Sequence, residues 1–578
     1  MSFAGKVWRL LVGIKDGLVL LFMLLFFALL FAILSARPSP GMVREGALLI
    51  ELDGYIVEER AELDPIQALL SQQAPVTEYE AGELVRALDA AAGDERIKAV
   101  ALDLSRFLGG GQVHLQEVGE ALARVRAAKK PVLAYSLAYS DDALQLAAHA
   151  SEVWVDPIGG AVVGGPGGAF LFFGDLLEQY GVNARVYRVG TFKSATEPYT
   201  RSEFSPEARE NMASLYGALW AQWGERVAKL AGEDSWSSLP GAFAATSLAQ
   251  YLADTTPSAS GKPIGIITVA GEVVDGEAGP GTAGGDRIAA LLDEALDDDL
   301  AALVVRIDTP GGSVTASEQI RRAVLRHQAN GIPIAVSMAN VAASAGYSIA
   351  SAGDRIFAQP ETITGSIGVF AVIPTFEATA ARFGITSDGV RTTPLSGQPD
   401  IIGGFTPEVD AILQASVEDS YADFLGHVGK ARKITPAALD RIAQGRVWDG
   451  GSARQIGLVD QFGGLDDALA WAAKEAKLKD GQWYAKRLGT TPSSYDSLIR
   501  QMLVDNSEDS GAASADLFAL LARQRGHALQ QIAQDAERLT RMQGVQAYCL
   551  ECPREVQPAP TRHLEGWLAM FARLFARD

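Results

Sequence analysis

Histidine, cysteine and excess positive charge are scarce in this chain, and each shortage excludes something. Six histidines serve 578 residues. They are His114, His149, His327, His427, His527 and His563, and they fall in helical stretches or the tail, none beside a candidate nucleophile. A Ser-His-Asp triad is therefore unsupported. Cysteine occurs twice, as Cys549 and Cys552, with no Cys or His pair nearby to complete a zinc site. No thioredoxin-like strand–helix pattern surrounds the pair, so it reads as a local disulfide or two idle thiols. Fifty Lys and Arg against seventy Asp and Glu give a net charge of −20, which argues against a nucleic-acid partner because phosphate binding needs a basic face. There is no phosphate-cradling glycine loop and no ligand cluster, so neither cofactor nor metal is expected.

Long hydrophobic runs are also rare. One exists: Gly17 to Ala36 is charge-free and rich in Leu and Phe, and about twenty apolar residues span a bilayer. Lys6, Arg9 and Lys15 precede it, which places residues 1–16 in the cytoplasm and the body outside. Cleavage after Ala36 or Ser35 would put Leu34 or Ile33 at the −3 position. Neither is small, so an uncleaved signal anchor is expected. The remainder, 48% hydrophobic and 21% charged over the whole chain, is ordinary globular material, enough for two or more domains.

What the chain does have is an internal duplication. Ala47–Val57 (ALLIELDGYIV) parallels Ile264–Val274 (IGIITVAGEVV), and Ile97–Leu104 (IKAVALDL) parallels Leu300–Asp308 (LAALVVRID). These β-rich runs predict buried strands. Helices follow over 113–128 and 317–330, then strands from Pro131 and Pro333, then short strands at 152–155 and 355–357. Ser205-Pro-Glu and Thr406-Pro-Glu each open a long helix with a cap and a first-turn proline. Strand–helix alternation with short loops implies an α/β fold with parallel strands. The expected organisation is a cytoplasmic tail over 1–16, a transmembrane anchor over 17–36, repeats over 47–260 and 261–480, and a C-terminal extension over 481–578. Within the extension, 515–542 reads as a helix. Leu564, Trp567, Leu568, Phe571, Leu574 and Phe575 keep helical spacing, suited to a membrane surface, a neighbouring subunit or a terminal packing helix.

The copies have lost complementary residues. Aligned on Gly181-Val182 and Gly384-Ile385, Lys193 in copy one falls opposite Ser396. Aligned on Asp156-Pro157 and Gln359-Pro360, Ser344 in copy two falls opposite Asp141. A serine hydroxyl needs a base to become a nucleophile. A lysine serves if burial keeps its amine neutral, and Lys193 has apolar neighbours in Phe192, Ala195 and Tyr199. The turn Asp308-Thr-Pro-Gly311-Gly312-Ser313 can present backbone N–H groups to a developing oxyanion, and Ala345 N–H directly follows Ser344. Ser366, in Thr364-Gly-Ser-Ile-Gly-Val369, is a candidate for orienting Lys193. Each feature alone has a plainer reading as a surface lysine, a helix cap or a tight turn.

Together, Lys193-Ser-Ala-Thr-Glu-Pro198, Asp308-Thr-Pro-Gly-Gly-Ser313, Ala343-Ser-Ala-Gly-Tyr347 and Thr364-Gly-Ser-Ile-Gly-Val369 resemble the signal peptide peptidase A (protease IV) family in its long, duplicated, membrane-anchored bacterial form. The resemblance covers about residues 1–480. It implies two tandem Clp protease/crotonase-like repeats and a Ser-Lys peptidase. Ser344 would be the nucleophile, Lys193 the general base, Gly311 with Ala345 the oxyanion hole, and Ser366 the residue holding the lysine. Ala345 stands where the family commonly has glycine. The resemblance further implies a homotetramer anchored on the outer face of the bacterial inner membrane, degrading remnant signal peptides. Two other readings remain open, a crotonase-like enzyme acting on acyl thioesters and an inactive membrane scaffold.

Overall fold

A computed structural model describes residues 12, 15–27, 43–61, 76–230, 244–255, 259–489 and 544–552. The first repeat is built on a five-stranded sheet in the order Glu152–Ala161, Val132–Tyr139, Ile97–Asp103, Gly46–Glu51, Ala245–Ser247, every neighbouring pair parallel. The second repeats that order in a larger sheet. Arg355–Ala358 and Ile363–Gly365 lie beside Ile334–Ala343, followed by Ala302–Thr309 and Lys262–Ala270. The shared order is the structural trace of the duplication.

Parallel strands covered on both faces have no solvent side, so their sequences are continuous apolar runs rather than alternating ones. Ala302–Thr309 is buried at all eight positions. The helix Val314–Ala329 buries Ala316, Ile320, Ala323, Val324 and His327, the spacing of one helical face, and its apolar members share a core with Leu303, Val305 and Ile307. Its N-terminus is capped by the Ser313 hydroxyl, which accepts from Ala316 N. Helices Ala81–Gly93 and Gly285–Glu294 lie before the second sheet strand of each repeat, Ile97–Asp103 and Ala302–Thr309. The long helices run over Pro206–Leu230 and Pro407–Arg432, each opening at the expected first-turn proline.

A third, six-stranded sheet joins the two repeats and sets the position of the site. Its order is Ala283–Gly284, Val273–Val274, Gly311–Ser313, Gln546–Tyr548, Val369–Thr375, Asn183–Val189. Strand Asn183–Val189 of repeat one pairs antiparallel with Val369–Thr375 of repeat two through seven residue pairs. These are not equivalent edges of the two copies. At the alignment that matches Gly181 with Gly384, the counterparts are residues 386–392 and 166–172, and neither forms a strand. Each copy kept the strand the other lost, and the survivors pair.

The extension also departs from expectation. Trp483–Arg487 adds a parallel strand beside Lys262–Ala270, so repeat two reaches past Gly481. Gln546–Tyr548 enters the third sheet between Gly311–Ser313 and Val369–Thr375. Cys549 and Cys552 form a disulfide. At the N-terminus residues 15–27 are helical and Leu18 to Phe27 are exposed. Among the described residues no helix is long and apolar enough to cross a membrane. Residues 28–36 of the expected anchor, the helix over 515–542 and the stretch Leu564–Phe575 lie outside the described residues.

Candidate active site

Ser344 sits between strand Ile334–Ala343 and helix Ala345–Ala350, with φ 57° and ψ −112°. A non-glycine residue at positive φ is strained and persists only where its surroundings fix it. Here Ser344 N donates to Gly365 O at 2.8 Å, which ties the bend to the next strand. The strain turns the hydroxyl off the strand end, away from the direction an extended residue would take.

Lys193 arrives from the other repeat. After strand Asn183–Val189 the chain turns, and Phe192 N donates to Gln444 O at 2.9 Å. Gly445 has φ +76°, and a Cβ there would stand 2.7 Å from Lys193 N and 2.8 Å from Lys193 Cβ. Only glycine leaves the lysine backbone its place. The side chain then runs inward, where Nζ lies 2.7 Å from Ser344 Oγ, 3.0 Å from Ser366 O and 2.9 Å from Ser366 Oγ. The lysine and serine meet within one chain.

Both are sealed from solvent: Ser344 is 0% and Lys193 2% exposed. Burial disfavours the ammonium and brings the Lys193 pKa down to about 7, against the opposing pull of the Glu551 carboxylate. A neutral amine has two N–H donors and one lone pair. Ser366 O and Oγ offer two acceptors, so the lone pair is left for the Ser344 hydroxyl proton. That is the arrangement of a general base beside its nucleophile. Ser366 holds its own position at φ 50°, with its N–H donating to Arg446 O at 2.7 Å.

The candidate oxyanion groups are adjacent. Gly311 has φ +101°, and a Cβ there would stand 2.9 Å from Ala345 N, so a side chain would fill the space between the two. Gly311 N itself donates to Thr309 Oγ1 at 3.1 Å, so this amide is turned toward its own loop. Asp308 secures the loop, its Oδ1 accepting from Val341 N at 2.8 Å.

The lost counterparts do other work. Asp141 accepts hydrogen bonds from Gly164 N and Gly165 N, and Ser396 is bonded within an exposed turn to Thr392 and Thr393. Among the described residues no histidine bonds Ser344. His114, for one, bonds Gly110 O and Glu58. His527 and His563 lie outside the described residues.

One group went unread in the sequence. Glu551 is buried and its carboxylate accepts a hydrogen bond from the hydroxyl of Ser194, the residue next to Lys193. The only available signal was the Cys-Leu-Glu-Cys spacing, which fixes a tight loop but not where it docks.

The model of "Peptidase family S49" matches residues 124–234 and 326–479, one stretch in each repeat. Protease 4 of Salmonella typhi is 33% identical over 559 residues, covering 87% of this chain and 90% of the relative. Protease 4 of Haemophilus influenzae is 33% identical over 526 residues, covering 80% and 85%. The chloroplastic serine protease SPPA of Arabidopsis thaliana is 25% identical over 442 residues, covering 67% and 64%. With a third of its residues shared along nearly the full length of the Protease 4 relatives, the chain belongs to peptidase family S49 and is a serine protease.

Proposed function

We propose that this protease works by a Ser344–Lys193 dyad on extended hydrophobic peptides, remnant signal peptides foremost, while anchored in a bacterial inner membrane. The observation that carries the reading is the 2.7 Å separation of Lys193 Nζ and Ser344 Oγ in a buried setting. Neutral Lys193 takes the Ser344 proton as Oγ attacks a peptide carbonyl. Ala345 N–H and Gly311 N–H, the latter released from Thr309, receive the oxyanion. Lys193 then passes its proton to the leaving amine, and water attacks the acyl-enzyme with Lys193 again as base.

The membrane reading rests on the charge-free run 17–36 and its basic flank. The side chains of Leu18 to Phe27 are exposed. Residues 1–16 would be cytoplasmic and both repeats periplasmic. The Clp protease/crotonase-like description of the repeats and the homotetramer come from the family resemblance. Phe383, Ile385 and Val390, the last 99% exposed, supply an apolar surface consistent with subunit contact.

The test is hydrolysis of a hydrophobic peptide together with labelling by a fluorophosphonate. Ser344→Ala should lose both. Lys193→Ala should lose about 10²–10⁴-fold in kcat, the usual contribution of a general base. A Lys193→Ala protein cleaving at the wild-type rate refutes the dyad. Turnover of an acyl-CoA in place of peptide would favour the thioester reading.

A further inference from the structure

A general base works only where its lone pair points at the nucleophile's proton, and a lysine reaches that point through a flexible four-carbon stem. Its backbone, and the acceptors of its other N–H groups, must therefore be fixed relative to each other. One short segment of this chain touches both. Gln444 O accepts from Phe192 N at 2.9 Å, and Gln444 Oε1 accepts from Thr191 N at 3.2 Å, which holds the turn that delivers Lys193. Two residues later, Arg446 O accepts from Ser366 N at 2.7 Å. That bond holds the residue whose O and Oγ accept from Lys193 Nζ.

The Arg446 side chain closes the circuit. Its guanidinium lies 4.9 Å from the Phe192 ring centroid and 4.9 Å from that of Trp448, and Phe192 immediately precedes Lys193. Trp448 is itself fixed, its Nε1 donating to Ile442 O at 3.0 Å. The nucleophile joins the same ring, because Ser344 N donates to Gly365 O, beside Ser366. A closed path thus runs from Ser344 through Gly365-Ser366, Arg446 and Phe192-Lys193, and returns to Ser344 across the 2.7 Å contact. An ion pair does not account for the arginine. Glu210 accepts from its Nη2 at a long 3.4 Å, with the side chains of Arg446 and Glu210 24% and 64% exposed, and such pairs contribute little. Stacking a planar cation on two aromatic faces does use what distinguishes arginine from lysine.

We propose that Arg446 is a positioning residue for the general base: its stack on Phe192 and Trp448 fixes the Lys193 turn against Ser366 and so aims the Lys193 lone pair. This rests on the Ser344–Lys193 reading and names a residue that sets its geometry.

Arg446→Met tests this in the full-length protein, since methionine keeps much of the volume but neither the plane nor the charge. A reacting group displaced by about 1 Å loses on the order of 10²-fold in rate. The kcat on a hydrophobic peptide, and the rate of Ser344 labelling by a fluorophosphonate, should therefore fall about 10- to 100-fold, with KM held within about twofold. Glu210→Gln should leave both rates at the wild-type value. A role in folding alone would slow labelling whether or not the base is present, whereas a role through the base would not. In a Lys193→Ala background, Arg446→Met should accordingly slow labelling by less than about twofold. Phe192→Leu should reproduce the loss and combine with Arg446→Met without adding to it, and it carries the same test should Arg446→Met fail to fold. Phe192→Tyr, which keeps the aromatic face, should retain the wild-type kcat. The proposal is overturned if Arg446→Met keeps the wild-type kcat, or if Glu210→Gln loses as much as Arg446→Met. It is overturned equally if Arg446→Met slows labelling of the Lys193→Ala protein by the factor it costs the wild type. Each of those results leaves the dyad standing. Labelling of Lys193→Ala at the wild-type rate would instead remove the dyad reading, and the role of Arg446 with it.

Discussion

At the scale of single residues, the proposed mechanism depends on keeping one amine neutral. Lys193 is brought to about 7 by burial, with Glu551 opposing. A base works in its unprotonated form, so kcat/KM should rise as pH increases through about 7. Glu551→Gln removes the charge that favours the ammonium, so the same limb should move to lower pH, and a limb that stays in place would show that Glu551 does not act on Lys193. The same shift bears on stability. Between about 7 and the ordinary lysine value of 10.5 the unfolded chain binds a proton at Lys193 that the folded chain does not. Stability therefore gains from Lys193 as pH rises through that window. Lys193→Met removes the penalty of burying a charge. Its advantage over the wild type in chemical denaturation should be larger at pH 6.5 than at pH 10, and an advantage that grows with pH would contradict a depressed lysine.

Among elements, the decisive contact is the loop at Gly445 against the lysine turn. It belongs to the Gly445-Arg-Val-Trp-Asp-Gly450 stretch, whose Val447–Asp449 strand pairs with Ile363–Gly365. Gly445→Ala places a methyl within 2.7–2.9 Å of three Lys193 atoms, so the lysine must shift. A displacement of about 1 Å in a reacting group costs on the order of 10²-fold in rate. The expected result is a loss of kcat of that order with a smaller change in KM, and an unchanged kcat would mean the turn relaxes elsewhere. The strands beside this site were legible because IKAVALDL and LAALVVRID are too short and too β-rich for helices and too apolar for a solvated face. The two long helices were legible from their Ser-Pro and Thr-Pro openings. Strand Gln546–Tyr548 was not. Its three residues carry no periodicity, and its partners lie far away in the chain. The Ser194–Glu551 bond that follows it spans 357 residues. Nothing local encodes such a contact.

Across the whole molecule, Lys193 meets Ser344 only because two repeats are held in register, and a buried charge cluster crosses between them. Arg306 of repeat two is 1% exposed. It donates from Nε to Glu58 Oε2 at 2.9 Å and from Nη2 to Glu117 at 3.0 Å, both acceptors in repeat one. His114 lies 3.2 Å from Glu58 and 3.4 Å from Asp308, and Asn340 Oδ1 accepts from Val113 N at 2.9 Å. Burial would raise Glu58, but Arg306 and His114 hold it down at about 2. Arg306→Met would strand two buried carboxylates. Breaking a buried pair from one side costs about 3–5 kcal/mol. The sign with pH follows from Glu58. Its depressed pKa supplies stability that is present above the unfolded value of 4.5 and is lost as pH falls toward about 2. The variant lacks that contribution, so its deficit against the wild type should be largest at neutral pH and shrink toward pH 4. Adding Glu58→Gln and Glu117→Gln should recover much of the loss by removing the stranded charges. Arg306 also sits in the strand that ends at Asp308, directly before the Gly311 turn. Kinetics under native conditions should therefore fall with stability in Arg306→Met and recover in the triple variant. If activity were lost while unfolding stayed at the wild-type midpoint, the cluster would be acting on the Gly311 turn itself rather than on the docking of the repeats.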